Sequence, residues 1–257
     1  MSISLFNLQG RAALVTGGSK GLGKAMARGL AEAGADVMLA SRHADELRAA
    51  QDEIQSAASG RKVLWEVCDL GRREEAGRLA ERAVAGLGKV DILINNAGTN
   101  IPQAIDRVRD EDWDYLVELN LSSTMALTRA LVPQMKERRW GRIIFISSIM
   151  GLASKEERSA YSATKSAVIG LARSCALDLG PFGITVNAIA PGPFLTDLPQ
   201  SLLDEKQQQV FADRTALGRW GKPDELVGPA LLLASEAGSY ITGATISVDG
   251  GCLVKTF

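Results

Sequence analysis

Tyr161 and Lys165 stand four residues apart in Tyr161-Ser162-Ala163-Thr164-Lys165, and Ser148 closes an apolar run upstream. Residues four apart on a helix share a face, so this spacing brings the Lys165 ammonium close to the Tyr161 phenol. A free phenol titrates near pH ~10, too high for efficient proton exchange at neutral pH. A neighbouring cation lowers that value, and the pair therefore predicts a tyrosine able to act as general acid and base. Each residue alone has a plain structural reading: Ser148 as a strand-end cap, Tyr161 and Lys165 as an ordinary amphipathic pair.

A second group suits phosphate. Thr16-Gly17-Gly18-Ser19-Lys20-Gly21-Leu22-Gly23 follows an apolar run and leads into a helical pattern. Glycines there let the backbone turn sharply and approach a pyrophosphate, whose charge the free N–H groups of a helix N-terminus stabilise. The spacing of Gly17, Gly21 and Gly23 departs from G-x-G-x-x-G, so the strand–turn–helix context carries the reading, with a plain glycine-rich turn as the alternative. Ser41-Arg42 ends the second apolar run, where an acid would bind the adenosine ribose hydroxyls of NAD and an arginine suits the extra phosphate of NADP. Asp36 lies at the start of that run, at the wrong end. With Lys20 as a second cation and the planar fork of Arg42, the expected cofactor is NADP(H) in preference to NAD(H).

Short Val/Ile/Leu-rich runs alternating with longer amphipathic segments must position these groups. That alternation predicts an α/β fold, a single-domain Rossmann-type doubly wound parallel sheet of about seven strands with helices on both faces. Strands are expected at 12–16, 36–41, 62–68, 92–95, 142–147, 185–190 and 244–248, and helices near 22–33, 44–56, 74–85, 111–137, 160–179 and 223–234. Several strands are apolar throughout, as strands covered on both faces are. No linker or repeat interrupts the series, so one domain over 1–257 is expected, with a cofactor half at 1–140 and a catalytic and substrate half at 141–257. Between 191 and 220 the prolines Pro191, Pro193 and Pro199 and the polar run 204–209 break the alternation, which predicts a lid of loop and short helices. Phe194, Leu195, Leu198, Leu202 and Leu203 would give it an apolar underside.

Composition narrows the function classes. The 257 residues are 46% hydrophobic and 23% charged, enough for a sizeable core, and the net charge of -1 gives no sign of nucleic acid or an anionic membrane as partner. A small-molecule substrate fits better. Cys68, Cys175 and Cys252 form no short pair and His43 is the one histidine, which argues against a redox dithiol, a zinc site or a histidine-based triad. No metal is expected. Absence of a signal-like N-terminus and of an apolar run near the ~20 residues that span a bilayer leads to a cytoplasmic expectation.

With the cradle and the Ser148, Tyr161 and Lys165 trio in hand, the chain resembles the classical short-chain dehydrogenase/reductase family along essentially its whole length. The family's motifs fall in order on Thr16 to Gly23, Asn95-Asn96-Ala97-Gly98, Asn120, Ser148, Tyr161 with Lys165, and Pro191-Gly192 followed by Thr196. The resemblance implies that Ser148 polarises a substrate carbonyl while Tyr161 moves the proton as hydride passes to or from nicotinamide. It also implies that Lys165 lowers the Tyr161 pKa and binds the nicotinamide ribose, and that Asn120 holds a water linking the site to solvent. Pro191, Gly192 and Thr196 would fix the carboxamide end, Asp69 would meet the adenine, and Leu70 and Phe194 would be further cofactor contacts. Ser147 competes with Ser148, but strand alternation points it the opposite way. A homotetramer is implied too. A dinucleotide-binding protein without catalysis is the non-enzyme alternative.

Two subfamilies look closest: gluconate 5-dehydrogenase-like sugar-acid enzymes and 3-oxoacyl carrier-protein reductases. The segment 214–223, with Asn96-Ala97-Gly98-Thr99-Asn100, resembles the sugar-acid group more. Carrier-protein reductases place a basic residue where this chain has Phe182, although Arg139 matches their other basic position. Lys155-Glu156-Glu157-Arg158 makes the approach to Tyr161 unusually charged, and Lys155 or Arg158 could pair with a substrate carboxylate, a solvated loop being the alternative. Asn100 and Phe194 complete the expected substrate contacts.

Overall fold

A computed structural model of the protein describes residues 3–196 and 205–255. The expected lid residues Leu198, Pro199, Leu202 and Leu203 lie outside that range. Among the described residues, one parallel sheet contains β1 (Ala12–Thr16), β2 (Asp36–Ser41), β3 (Val63–Val67), β4 (Ile92–Asn95), β5 (Gly141–Ile146), β6 (Ile184–Pro191) and β7 (Thr245–Val248) in the order β3-β2-β1-β4-β5-β6-β7. Ala13 of β1 is in register with Val37 of β2 on one side and Ile92 of β4 on the other. The helices are α1 (Gly21–Glu32), α2 (Ala44–Ala57), α3 (Glu74–Leu87), α4 (Asp110–Val117), α5 (Ser123–Arg138), α6 (Ser159–Leu179), α7 (Glu205–Asp213) and α8 (Val227–Ala234). Among the described residues, no helix is long and apolar enough to cross a membrane.

Successive strand side chains point to opposite faces, which divides the core in two. Leu14, Leu93, Ile143 and Phe145 pack with residues of α3, α5 and α6. Ala13, Val15, Ile92, Ile94, Ile144 and Ile146 pack with α1, α2 and α8 on the other side. Both faces being dry, uniformly apolar strands are what the sheet requires. Leu93 is fully buried beneath the site, and its truncation to Ala would cost about 2–5 kcal/mol.

The sequence reading of one helix over 111–137 is corrected. A π-helical turn, Glu118–Ser122, separates α4 from α5. Ser123 Oγ donates to the Leu119 carbonyl at 2.8 Å and Thr124 Oγ1 to the Leu121 carbonyl at 2.8 Å, side-chain bonds that compete with a regular ladder. The expected helix 223–234 likewise divides into a 3-10 turn, Pro223–Leu226, and α8. Ser147, expected inside the fifth strand, falls just beyond it.

Strand order reverses direction between β1 and β4, since β1 continues to β2 on one side while β4 begins the other half. Ligands of such sheets bind in the crevice outside the carboxyl ends of the strands at that switch point.

Candidate active site

The loops leaving β1 and β4 are bound together. Thr16 Oγ1 accepts the N–H groups of Asn96 and Ala97, each at 3.0 Å, and Asn96 Nδ2 donates to the carbonyls of Thr16 at 2.9 Å and Gly17 at 3.1 Å. Asn96, expected at the cofactor, therefore also holds the glycine turn in shape. A Cβ on Gly23 would stand 2.1 Å from the Gly17 carbonyl oxygen and 2.6 Å from Asn96 Nδ2, so only glycine permits this approach. At the start of α1, Lys20 makes no side-chain cap and the first turn has no acid. Its backbone donors lack a side-chain partner where Gly21, Leu22 and Gly23 line a cavity, an arrangement that fits a pyrophosphate.

The expected tetrad meets at the next loop. Ser148 Oγ caps the 3-10 turn Ile149–Gly151 by accepting the Met150 N–H at 3.1 Å, and its hydroxyl lies beside the Tyr161 phenol. Ser147 instead donates to the Lys165 carbonyl at 2.8 Å, so the two serines are used differently. Lys165 is buried, and its Nζ donates to the Ile146 carbonyl at 2.8 Å. Asn120 gives its amide hydrogens to the Thr99 carbonyl and Thr164 Oγ1, and its Oδ1 accepts the Thr99 N–H. The side-chain amide thus ties the loop after β4 to α6, with both its hydrogens already committed.

Burial pushes the Tyr161 phenol above its ordinary value, while Ser148 and the Arg158 charge pull the other way. Burial also lowers Lys165 to about 8. The Lys165 ammonium, buried at the cavity wall, is aimed at a backbone carbonyl, whereas Arg158 sits where its charge reaches the phenol.

At the far end of the crevice a carboxylate appears that the sequence reading missed. Glu46, in the first turn of α2, accepts from Lys20 Nζ at 2.8 Å and Ser19 Oγ at 3.0 Å, and the Ser19 and Ser41 hydroxyls are 3.1 Å apart. Because α2 follows β2 almost at once, its first turn folds back over the strand end, and an acid there was the available signal. Arg42 donates to Tyr115 Oη at 3.2 Å. Asp69 Oδ1 accepts the Gly71 N–H at 3.0 Å, and the Leu70 side chain packs in the core.

A cavity of about 790 Å³ joins most of the remaining expected residues: Asn96, Gly98, Asn100, Ser148, Lys155, Arg158, Tyr161, Lys165, Pro191, Gly192, Phe194 and Thr196. Gly17, Ser19, Ser41, Arg42, Asp69, Ala97 and Asn120 stand outside its wall. Lys20, Lys155, Arg158, Lys165 and Arg214 line it, and among the described lining residues there is no Asp or Glu. Such a wall concentrates anions. The Asn100 Oδ1 is buried there without a hydrogen-bond partner among the described residues. Phe194 is packed against Gly221, where a Cβ would approach its ring to 2.8 Å. Arg214 and Trp220, from the segment 214–223, also line the wall, as do Phe211 and Cys252, which had no motif to announce them. Cys68, buried in the core, has its thiol pushed up to about 12 and is inert. No group of three His, Cys, Asp or Glu suited to a metal occurs among the described residues.

A family model described as short chain dehydrogenase matches residues 11–207. The chain is 39% identical over 258 aligned positions to a 2-dehydro-3-deoxy-D-gluconate 5-dehydrogenase from Dickeya dadantii, covering 99% of this chain and 100% of that protein. A crystal structure of a 3-oxoacyl (acyl-carrier-protein) reductase from Agrobacterium tumefaciens with NADP bound superimposes with a TM-score of 0.93 at 37% identity, covering 98% of each chain. A gluconate 5-dehydrogenase from Burkholderia cenocepacia in complex with NADP and tartrate superimposes with a TM-score of 0.92 at 34% identity, covering 98% of this chain and 99% of that one.

Proposed function

The chain belongs to the short-chain dehydrogenase family, and from that premise we propose that it interconverts a ketone and a secondary alcohol with NADP(H), the substrate being a keto-sugar acid. The observation that carries the substrate class is the cavity wall, where Lys155, Arg158 and Arg214 accompany Ser148 and Tyr161 with no acid among the described lining residues. A carboxylate substrate would find charge-assisted donors there.

Bound nicotinamide dinucleotide supplies the hydride donor or acceptor. The backbone at Gly21–Gly23 would hold its pyrophosphate, Lys20, Ser41 and Arg42 its adenosine end, and Lys165 its nicotinamide ribose. Pro191, Gly192 and Thr196 would hold the carboxamide. Tyr161 gives a proton to the substrate oxygen in the reducing direction and removes it in the oxidising one. Ser148 donates a hydrogen bond to the same oxygen as negative charge develops. Arg158 favours phenolate at Tyr161, partly offsetting burial. Asn120 acts here by fixing Thr99 against α6. Phe194, wedged on Gly221, keeps water from the reacting atoms.

A second reading, reduction of a 3-oxoacyl thioester on a carrier protein, has one observation behind it. Lys136 stands 4.4 Å over the Phe182 ring and Arg139 donates to the Pro181 carbonyl at 2.9 Å, which puts two cations at the position where such reductases carry basic residues. A cytoplasmic homotetramer, which the family resemblance implies, completes this reading.

The test is NADPH and NADH oxidation with 5-ketogluconate, 2-deoxy-3-ketogluconate and an acetoacetyl thioester, for the wild type and Tyr161→Phe. Turnover of a keto-sugar acid that falls at least about 100-fold in Tyr161→Phe, with dinucleotide binding retained, is the expected result. Thioester turnover alone replaces the substrate class, and activity unchanged in Tyr161→Phe removes the mechanism.

A further inference from the structure

Three side-chain donors beside the end of β2, those of Ser19, Ser41 and Lys20, converge on a single carboxylate, Glu46. Ser19 is buried, 6% exposed, so its hydroxyl must find its partner within the protein. A carboxylate only accepts, so Ser19 gives its hydrogen to Glu46 Oε2 at 3.0 Å and is left to take the hydrogen of Ser41, 3.1 Å away. Lys20 closes the set on Glu46 Oε1 at 2.8 Å. Ser41, Ser19 and Lys20 therefore form one relay that ends on Glu46. Arg42 lies outside it, donating to Tyr115.

We propose that Glu46 is a specificity-determining residue: its carboxylate competes with the 2′-phosphate of NADP(H) for Ser19 and Lys20, so that Glu46 sets the balance between NADP(H) and NAD(H). The inference rests on the dinucleotide reading of the site. A 2′-phosphate brought to the end of β2 needs the donors that Glu46 holds, and it meets a like charge there. A ribose 2′-hydroxyl meets the opposite situation, because it can donate to the same carboxylate. Glu46 thus acts as the acid that β2 itself lacks, supplied from the next helix, while Arg42 supplies the cation that favours phosphate. The Lys20 contact also lowers the Glu46 pKa, so the carboxylate stays ionised throughout the neutral range.

The experiment is calorimetric titration of the full chain with NADPH and with NADH, for the wild type, Glu46→Gln, Glu46→Ala and Glu53→Gln. Glu53 lies on the same helix and pairs with Lys24 at 2.7 Å, away from the relay. Glu46→Gln and Glu46→Ala should each tighten NADPH about tenfold, as removal of one like charge at close range near a surface does, and leave NADH equal or weaker. Glu53→Gln should leave both affinities within about twofold. If wild-type protein binds both dinucleotides and the ratio of affinities is the same in both Glu46 variants, the inference is overturned and the dinucleotide reading stands. If wild-type protein binds neither, both fall. A matching rise in Glu53→Gln would also overturn it, since net charge and not the relay would then be responsible.

Discussion

The Lys165 ammonium stands 5.7 Å from the centre of the Tyr161 ring, on the same side of α6, and donates its hydrogen bond to the Ile146 carbonyl at 2.8 Å. Burial with one neutral partner lowers its pKa to about 8 from the usual 10.5. The unfolded chain thus binds more protons than the folded one between those values, and stability from this group rises with pH across that window. Below about pH 8 the cost of the buried charge is fully present. Lys165→Met should therefore gain most relative to wild type at pH 7 and least at pH 10, the change between them being on the order of 3 kcal/mol at most. Denaturant unfolding at both pH values checks this, and a pH-independent difference would contradict it.

Gly98 is where backbone, Asn120 and Lys165 crowd together. A Cβ there would lie 2.9 Å from Asn120 Oδ1 and 3.3 Å from Lys165 Nζ. Gly98→Ala should lower turnover about 100-fold by displacing the ammonium and the loop, in a protein that still folds. Gly170, in α6 with open space where a Cβ would be, provides the contrast. Gly170→Ala should retain activity and gain about 0.5–1 kcal/mol of stability. Steady-state rates and thermal unfolding of the two variants together make the test.

Arg42 can offer its guanidinium to phosphate by exchanging the Tyr115 hydroxyl for a stronger acceptor. Arg42→Ala should weaken NADPH about 10- to 100-fold, the range of a lost charge-assisted bond, and NADH by less than about twofold. Titration with both dinucleotides decides, and an equal effect on both would remove the phosphate role.

Arg158 differs from the other cations of the cavity because its charge acts on Tyr161. Arg158→Gln should raise KM for an acidic substrate and also move the pH dependence of kcat/KM to higher pH, since a positive charge that lowered the phenol pKa is gone. Lys155→Gln and Arg214→Gln should raise KM without moving the profile. A profile unchanged in Arg158→Gln would show that its charge does not reach the phenol in the working enzyme.

Much of this architecture is legible in the sequence because it follows from period and chain order. Apolar strands at short intervals dictated the parallel sheet, and the four-residue step from Tyr161 to Lys165 placed both on one face of α6. The π turn around Asn120 was not legible, since it depends on Ser123 and Thr124 bonding to backbone carbonyls, which hydrophobic period does not register. Glu46 was overlooked for a related reason. It lies in the helix after β2 and reaches the strand end only because the connection is so short. Arg214 and Trp220 meet the cavity through the long return from β6, where spacing along the chain carries no information about distance.

The position of β7 has a consequence for how much of the chain the sheet needs. β6 is buried at all eight of its residues, Ile184–Pro191, and β7 covers its open side through only four, Thr245–Val248. A chain stopped short of residue 245 would turn that buried interior strand into a bare edge, a template for pairing with other molecules. Shortening this protein at its C-terminus would then show itself as aggregation in the cell before any loss of catalysis could be measured.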